Sequence, residues 1–460
     1  MPTAAVKRLY TQTTLEPVLE PVQPGTIVII NPGSRNLRIG RASDAFPLTI
    51  PHCVAWRKRD NKEPFDSQPL FCRPECLHSE SKKQLKEGLK QSEEALLTRQ
   101  TSSGDYRQPT SYKQLLSFNN SVRPERTNVI CPQKWTNTDK KTPFFIGEEA
   151  LYIHNTEKFV LHWPIRRGRL NLHKGPGGTL SSILSDLEAI WSTALQARLE
   201  IPLKDLKLYR AILLVPDVFT HRHVKELTSL LLEKLGFGAI IVVQESVCAT
   251  YGAGVSCACV VDVGDQKTSV CCVEDGISLK NTRITMEYGG SDVTRCLKWL
   301  LERAGFCPRD IDMKNNIDGF LYEDIKETMC HMDQDRDGIF DQHIQIRRPQ
   351  QSIVKYSIKV ADEAILAPTS LFFPDLFLLQ GSQWTHVQSS NPGDPADPHD
   401  EFFLRQTQTQ DKMQQQEKEY RNESEGSEIN LAQLDESQLG QSQIDDDSND
   451  PADVNLQHRY

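Results

Sequence analysis

The sequence predicts an α/β protein with two similar domains facing each other across a cleft. Three observations lead there. The stretches TIVIINPGSRNLRIGRA at 26–42 and CACVVDVGDQKTSVCCVEDG at 257–276 each read as an apolar strand, a tight polar turn containing glycine, and a second apolar strand. Their turn glycines, Gly33 and Gly264, lie 231 residues apart, so one hairpin occurs twice at domain-sized spacing. Apolar runs suited to strands also alternate with runs of helical period, the pattern of an α/β core. Turns of this kind suit phosphate: glycine lets the backbone approach an anion, and successive N–H groups point at it.

In chain order, residues 1–25 read as a flexible leader and 26–243 as the first domain. From about 57 to 142 the chain is polar and broken by Pro, Ser and Lys, which reads as an insertion or small peripheral subdomain with one helical stretch, SKKQLKEGLKQSEEALL. Order returns at FFIGEEAL and HWPIRRG. LSSILSDLEAIWSTAL then reads as a helix, AILLVPD as a buried strand, HVKELTSLLLEKLGF as a helix, and AIIVVQESVCATYGAG as a strand running into a helix. The second domain spans 244–380, with helices at SDVTRCLKWLLERAGF and YEDIKETMCHM and a strand at SIVKYSIKV. From 381 to 460 the chain is rich in Gln, Ser, Asp and Glu, and it predicts a disordered acidic tail that buries too little apolar surface to offset its ordering entropy.

Charge is unevenly placed. Residues 411–460 hold 13 acidic and 4 basic side chains, a net −9 equal to that of all 460 residues. The rest is balanced, which argues against a strongly basic nucleic-acid binder. No apolar stretch approaches the ~20 residues that cross a bilayer, and the first residues lack the apolar core of a secretion signal, so a soluble intracellular protein is expected. Cys257, Cys259, Cys271 and Cys272 fall in strand-like runs and read as buried, reduced thiols serving as small apolar side chains.

Four motifs invite sharper readings, and for each the plainer one is favoured. DQDRDGIFDQHI at 333–344 imitates a calcium loop through Asp333, Asp335, Asp337 and Gly338, but Ile344 stands where a bidentate Glu is needed. KGPGGTLSS at 174–182 lacks the Gly-Lys-Ser/Thr ending of a phosphate loop and reads as a turn into a helix N-cap. Cys72, Cys76 and His78 lack a fourth metal ligand at suitable spacing. Arg166, Arg167 and Arg169 form the densest basic cluster, read as a solvated surface ahead of a phosphate or partner contact.

The two hairpins, with IGEEAL, WPIRRG, LLVPD, QESVCATYGAG, YGGSDVTRCL and DIKETMC following in order over about residues 26–380, resemble actin and the nuclear actin-related proteins. That resemblance implies an actin-like fold, ribonuclease H-like domains duplicated around a nucleotide cleft, with ATP and Mg²⁺ as cofactors. It places Gly33, Ser34 and Arg35 in the first phosphate loop, and Asp262, Val263, Gly264 and Asp265 in the second. Arg38 becomes a basic phosphate contact where the family usually has Lys, and Lys326 and Glu327 take positions that contact adenosine. Asp262 and Asp265 suit water-mediated contact with the metal.

Departures from the family pattern imply a site that binds without turning over. Asn31 replaces an Asp near the metal, and Ser269 replaces an active-site His. Ser229 is matched to the Gln that positions the attacking water, and a short hydroxyl there should slow hydrolysis. The family's later glycine-rich loop and returning helices are not found before Tyr460, so the second domain is expected to be incomplete, in a fragment or a variant. The resemblance further implies a noncatalytic scaffold subunit of a nuclear chromatin-remodelling complex of the INO-eighty class, acting in transcription regulation, DNA repair and DNA recombination. Implied partners are the remodeller's motor subunit, nuclear actin, another actin-related protein, and nucleosome or linker DNA, with no membrane. The alternative is an active ATPase or phosphotransferase of the actin, sugar kinase and chaperone superfamily.

Overall fold

The computed structural model describes residues 23–388 apart from 59–69, 72–78, 109, 111, 140–141, 155, 309–310, 314, 337 and 380–382. Residues 1–22 of the leader, the Cys72/Cys76/His78 group and the tail beyond 388 therefore lie outside the described residues, while the leader's last residues enter a 3-10 turn at Pro24–Thr26.

Two sheets carry the duplicated hairpins. The first has five strands: β1 (Ile27–Pro32) and β2 (Asn36–Arg41) form the hairpin, β3 (Leu48–Pro51) extends it beyond β2, and β4 (Arg210–Val215) and β5 (Ala239–Gln244) run parallel to β1 on its other side. Val28 and Ile30 alternate inward along β1 and are fully buried with Leu37 and Ile39 of β2, the period-two pattern that fixes register. Helix α1 (Leu180–Thr193) lays Ile183, Leu187, Ile190 and Trp191 into the same core. Its N-cap Thr179 accepts from the Ser182 N–H at 3.3 Å, so KGPGGTLSS is a turn into a capped helix.

The second sheet repeats the device with β6 (Ala258–Val263), β7 (Thr268–Glu274) and β8 (Ile284–Met286), all antiparallel neighbours. Beyond β8 lies β9 (Thr385–Val387), so the predicted structureless tail is corrected at its start. Thr385 and Val387 are β-branched and complete a sheet edge. The next residue, Gln388, exchanges two hydrogen bonds with the backbone of Phe219, tying this strand to the loop after β4.

Helices α2 (His221–Ser229) and α3 (Glu245–Ala253) follow β4 and β5, while α4 (Gly290–Arg303) and α5 (Asn316–Met329) follow the second hairpin. The polar insertion does not sit apart from the rest. Its helix Tyr112–Ser121 presents Asn119, which donates to the carbonyls of Ala304 and Lys359 and accepts from the Lys359 N–H, each at 2.9 Å. Its strand Glu125–Ile130 pairs with Ser352–Val360, and Arg107 reaches Asp362 at 2.8 Å. These buried polar contacts fasten the insertion to the second half of the chain.

The imitation calcium loop runs into the strand Phe340–Ile346, and Ile344 is buried in the core at the position a ligand would need. Among the described residues no helix is long and apolar enough to cross a membrane.

Candidate functional site

Both hairpin turns open into one cavity of about 720 Å³, within the size range of small-molecule sites. The turns are built alike. The Gly33 N–H donates to the Asn36 carbonyl at 3.1 Å, and the Gly264 N–H donates to the Lys267 carbonyl at 2.9 Å, each three residues on. A Cβ at Gly33 would lie 2.6 Å from the Asn36 oxygen, so the first turn requires glycine. In this repeat Asn31 of β1 stands where Asp262 stands in β6.

All ten candidate binding residues line the cavity: Gly33, Ser34, Arg35 and Arg38 from the first turn, Asp262, Val263, Gly264 and Asp265 from the second, and Lys326 and Glu327 from α5. Arg35 crosses the cleft to Glu323 of α5 at 2.9 Å and stands 3.7 Å from Asp265. Lys326 donates to Glu323 at 2.5 Å and to the Gly290 carbonyl at 3.1 Å. Burial pushes the Glu323 carboxyl up, but Lys326 and Arg35 outweigh it and hold it below its ordinary value. Glu323 is therefore the hub of the α5 side of the cavity, and its place in YEDIKETMC gave no hint of that role.

Two further charges were missed. Lys267, just past the second turn, pairs with Glu245, the first residue of α3, and both line the cavity. A single lysine after a glycine turn carries no sequence signal until the strand register brings α3 beside it.

The structure corrects the placement of Ser229. It is half-buried at the end of α2, where its hydroxyl donates to Glu233 at 2.8 Å, and it does not line the cavity. The match to the family's Gln fell on the wrong helix; the side chain that α3 presents to the turns is Glu245. Ser269 is buried within β7, paired with Asp262 across the hairpin, and also does not line the cavity.

The arginine cluster is likewise corrected from a solvated surface to a strap between the turns. Arg167 and Gly168 form the tip of a short hairpin, both at positive φ (52° and 72°), the geometry of a two-residue turn. The Gly168 N–H donates to the Ser34 hydroxyl at 2.8 Å and the Arg167 N–H to the Gln266 side chain at 3.2 Å. One tip thus holds the first and second turns together, and it leaves the Ser34 O–H free to donate onward. Arg169 pairs with Glu287 at 3.5 Å.

His52 supports the first turn from behind. It is fully buried, its Nδ1 lies 2.8 Å from the Gly33 carbonyl, and its Nε2 accepts from the Trp191 indole at 3.2 Å, which defines a neutral ring donating from Nδ1. Burial pulls its pKa down to about 4. Asp265 moves oppositely: burial raises its carboxyl to about 6, although Arg35 lowers it. Its two oxygens are buried without a hydrogen-bond donor.

These shifts have opposite consequences for stability. Asp265, raised in the fold, contributes stability that is present below its ordinary 3.8 and lost as pH rises through 6. His52, depressed in the fold, contributes stability that is present above 6.5 and lost as pH falls toward 4. Each shift is worth roughly 3 kcal/mol, so in the ligand-free chain they offset each other. Asp265→Asn removes one of them. Urea melts at steps from pH 7 to 4 should show that variant falling relative to the parent by roughly 3 kcal/mol; parallel curves would mean that Asp265 titrates normally.

The cavity holds four cations, Arg35, Arg38, Lys267 and Lys326, against five carboxylates, Glu245, Asp262, Asp265, Glu323 and Glu327. With carboxylates in excess by one, positive charge entering with a polyanion would favour its binding at the turn N–H groups. The chemistry of Asp262 and the orphaned, buried oxygens of Asp265 fit a hard divalent cation.

A duplicated phosphate-type hairpin, a cleft between the copies and a helix closing one side define a nucleotide-binding fold of the actin class. The family model described as Actin matches residues 22–318, and the chain belongs to the actin family. Within that family it is similar to actin-related protein 8: 48% identical to the protein of Homo sapiens over 388 residues, 84% of this chain and 62% of that protein. The Danio rerio protein is 46% identical over 387 residues, covering 84% and 62%, and that of Aedes aegypti 38% identical over 392, covering 84% and 69%. The chain thus spans about 62% of the length of the vertebrate relatives. The solved structure of human actin-related protein Arp8 in its ATP-bound state matches with a TM-score of 0.78 at 48% identity, over 80% of this chain and 74% of that one.

Proposed function

We propose that the chain is an ATP-binding scaffold that does not turn nucleotide over, working as the actin-related protein 8 subunit of a nuclear chromatin-remodelling complex. The observation that supports it best is the single cavity into which both glycine turns and the α5 residues Lys326 and Glu327 open. On this reading the turn N–H groups, the Ser34 hydroxyl and Arg38 take the phosphates, while Lys326 and Glu327 face the adenosine. Asp262 and Asp265 would hold Mg²⁺, which supplies the charge that offsets the triphosphate.

The noncatalytic reading no longer rests on Ser229. It rests on Glu245, the carboxylate that α3 presents to the turns, which is engaged by Lys267. Phosphoryl transfer to water depends on a group that orients the water, and on this reading the Lys267 ammonium holds the Glu245 carboxylate away from that role. The nucleotide then serves to hold the two halves together. Membership of a nuclear remodelling assembly of the INO-eighty class, with its motor subunit, nuclear actin, another actin-related protein and nucleosome or linker DNA as partners, is supported by the likeness to actin-related protein 8. Roles in transcription regulation, DNA repair and DNA recombination follow from that membership.

The test is to extract and identify the nucleotide that co-purifies with the chain, beside an Asp262→Ala control. ATP in the parent, lost from the variant, is expected. ADP would indicate turnover and favour an active ATPase, and an empty cleft would overturn the nucleotide reading.

A further inference from the structure

The β6–β7 hairpin that carries the second turn also brings two thiols face to face. Cys259 of β6 lies directly opposite Cys272 of β7. The Cys272 N–H donates to the Thr282 hydroxyl at 2.9 Å, and its carbonyl accepts from the Leu279 N–H at 2.9 Å, so both of its backbone groups point away from β6. The two cysteines are therefore a non-hydrogen-bonded pair. In such pairs the Cα atoms stand about 4.5 Å apart and the side chains on the shared face are closest, inside the roughly 4.4–6.8 Å that a disulfide spans.

The neighbouring thiols are placed otherwise. Cys271 points to the opposite face, is fully buried and meets the Ser278 hydroxyl at 2.9 Å. Cys257 precedes the strand, 3.9 Å from an Asp275 oxygen. The expected burial holds for Cys271 but is corrected for Cys257 and Cys259, which are exposed, because one face of this hairpin lies outside the core; Cys259 exposed and Cys272 half-buried give an attacking and a resolving thiol.

We propose that Cys259 and Cys272 form a redox-modification site that reacts with small disulfides of the glutathione type and closes into a cross-strand disulfide. The Cys259 thiolate attacks one sulfur of glutathione disulfide, forming a mixed disulfide and releasing one glutathione thiolate. The Cys272 thiolate then attacks the Cys259 sulfur and releases the second. Two protein thiols are oxidised, one glutathione disulfide is reduced to two glutathiones, and the two thiol protons pass to the departing thiolates. The bond would cross-link the arms of the hairpin three residues ahead of Asp262, stiffening the strands that present the second turn. Desolvation and the adjoining Cys272 thiol raise the Cys259 thiol above its ordinary value, which slows attack, so the site is read at equilibrium.

The full chain is equilibrated in glutathione buffers from reducing to oxidising, acid-quenched, alkylated, digested and mapped by mass. The expected result is a linked Cys259–Cys272 peptide pair that has lost two hydrogens and that grows with oxidant. It should vanish in Cys259→Ser and in Cys272→Ser and persist in Cys257→Ser and Cys271→Ser. The mapping in the parent chain stands without the variants, so a variant that folds poorly does not remove the answer. The proposal is overturned by full alkylation of both thiols in the oxidising buffer, by a glutathione adduct on Cys259 that does not close, or by a link that survives Cys259→Ser.

Discussion

Lys267→Met should destabilise the chain by about 3–5 kcal/mol near neutral pH, the range for removing one partner of a buried ion pair. Lys267 and Glu245 keep 9% and 16% of their side-chain surface exposed, so water offers the stranded carboxylate little relief. Burial already raises Glu245 above its ordinary value with the lysine in place. Without the ammonium the carboxyl rises further, and a group raised in the fold loses its stabilising contribution as pH climbs through that raised pKa. The defect should therefore be larger at pH 8 than at pH 5.5, in urea melts at both. Glu245→Gln with Lys267→Met should recover most of the loss, since it removes the buried charge along with its partner. A single variant that melts like the parent at pH 8 would mean the pair is solvent-screened. The double variant also bears on the proposed function, because it tests whether the ion pair or the cavity shape retains nucleotide.

The legibility of this fold divides by range. Hairpins, helix starts and strand periods are local, and residues such as Val28, Ile30, Ile183 and Leu187 declare their faces by spacing alone. The ten cavity-lining residues named from the sequence were found because they sit in motifs whose order along the chain mirrors a known family. What escaped was long-range. Glu245, Lys267 and Glu323 acquire roles only when register sets α3, the second turn and α5 around one cavity. Ser229 was misplaced for the same reason: a match to a family position within one helix does not say which helix faces the turns. The Arg166–Arg169 cluster read as a solvated surface because charge runs usually are, and the bonds from Arg167 and Gly168 to Gln266 and Ser34 depend on a turn whose two positive φ angles no composition announces.

Gly289→Ala should act on the site without touching any charged group. The first turn of α4 grips the second glycine turn: the Gly290 N–H donates to the Gly264 carbonyl at 2.9 Å, and the Ser291 N–H and hydroxyl donate to the Asp265 carbonyl at 2.8 and 2.9 Å. A Cβ at Gly289 would meet the Gly264 oxygen at 2.3 Å and the Asp265 carbonyl carbon and oxygen at 2.9 Å. All three contacts are backbone atoms, so no side chain can swing aside; either the helix or the turn must move. Overpacking of this kind costs about 1–3 kcal/mol, and the displaced turn carries Gly264 and Asp265 with it. The expected result is a lower melting midpoint together with loss of co-purified nucleotide, while Gly252→Ala in α3, where a Cβ meets nothing within 4 Å, keeps the nucleotide and holds or slightly raises the midpoint through its better helix propensity. Because nucleotide that binds only the folded state adds stability by mass action, the two Gly289→Ala losses should be coupled: added ATP should raise the midpoint of the parent more than that of the variant. Equal shifts would show that the grip of α4 on the turn does not govern nucleotide retention.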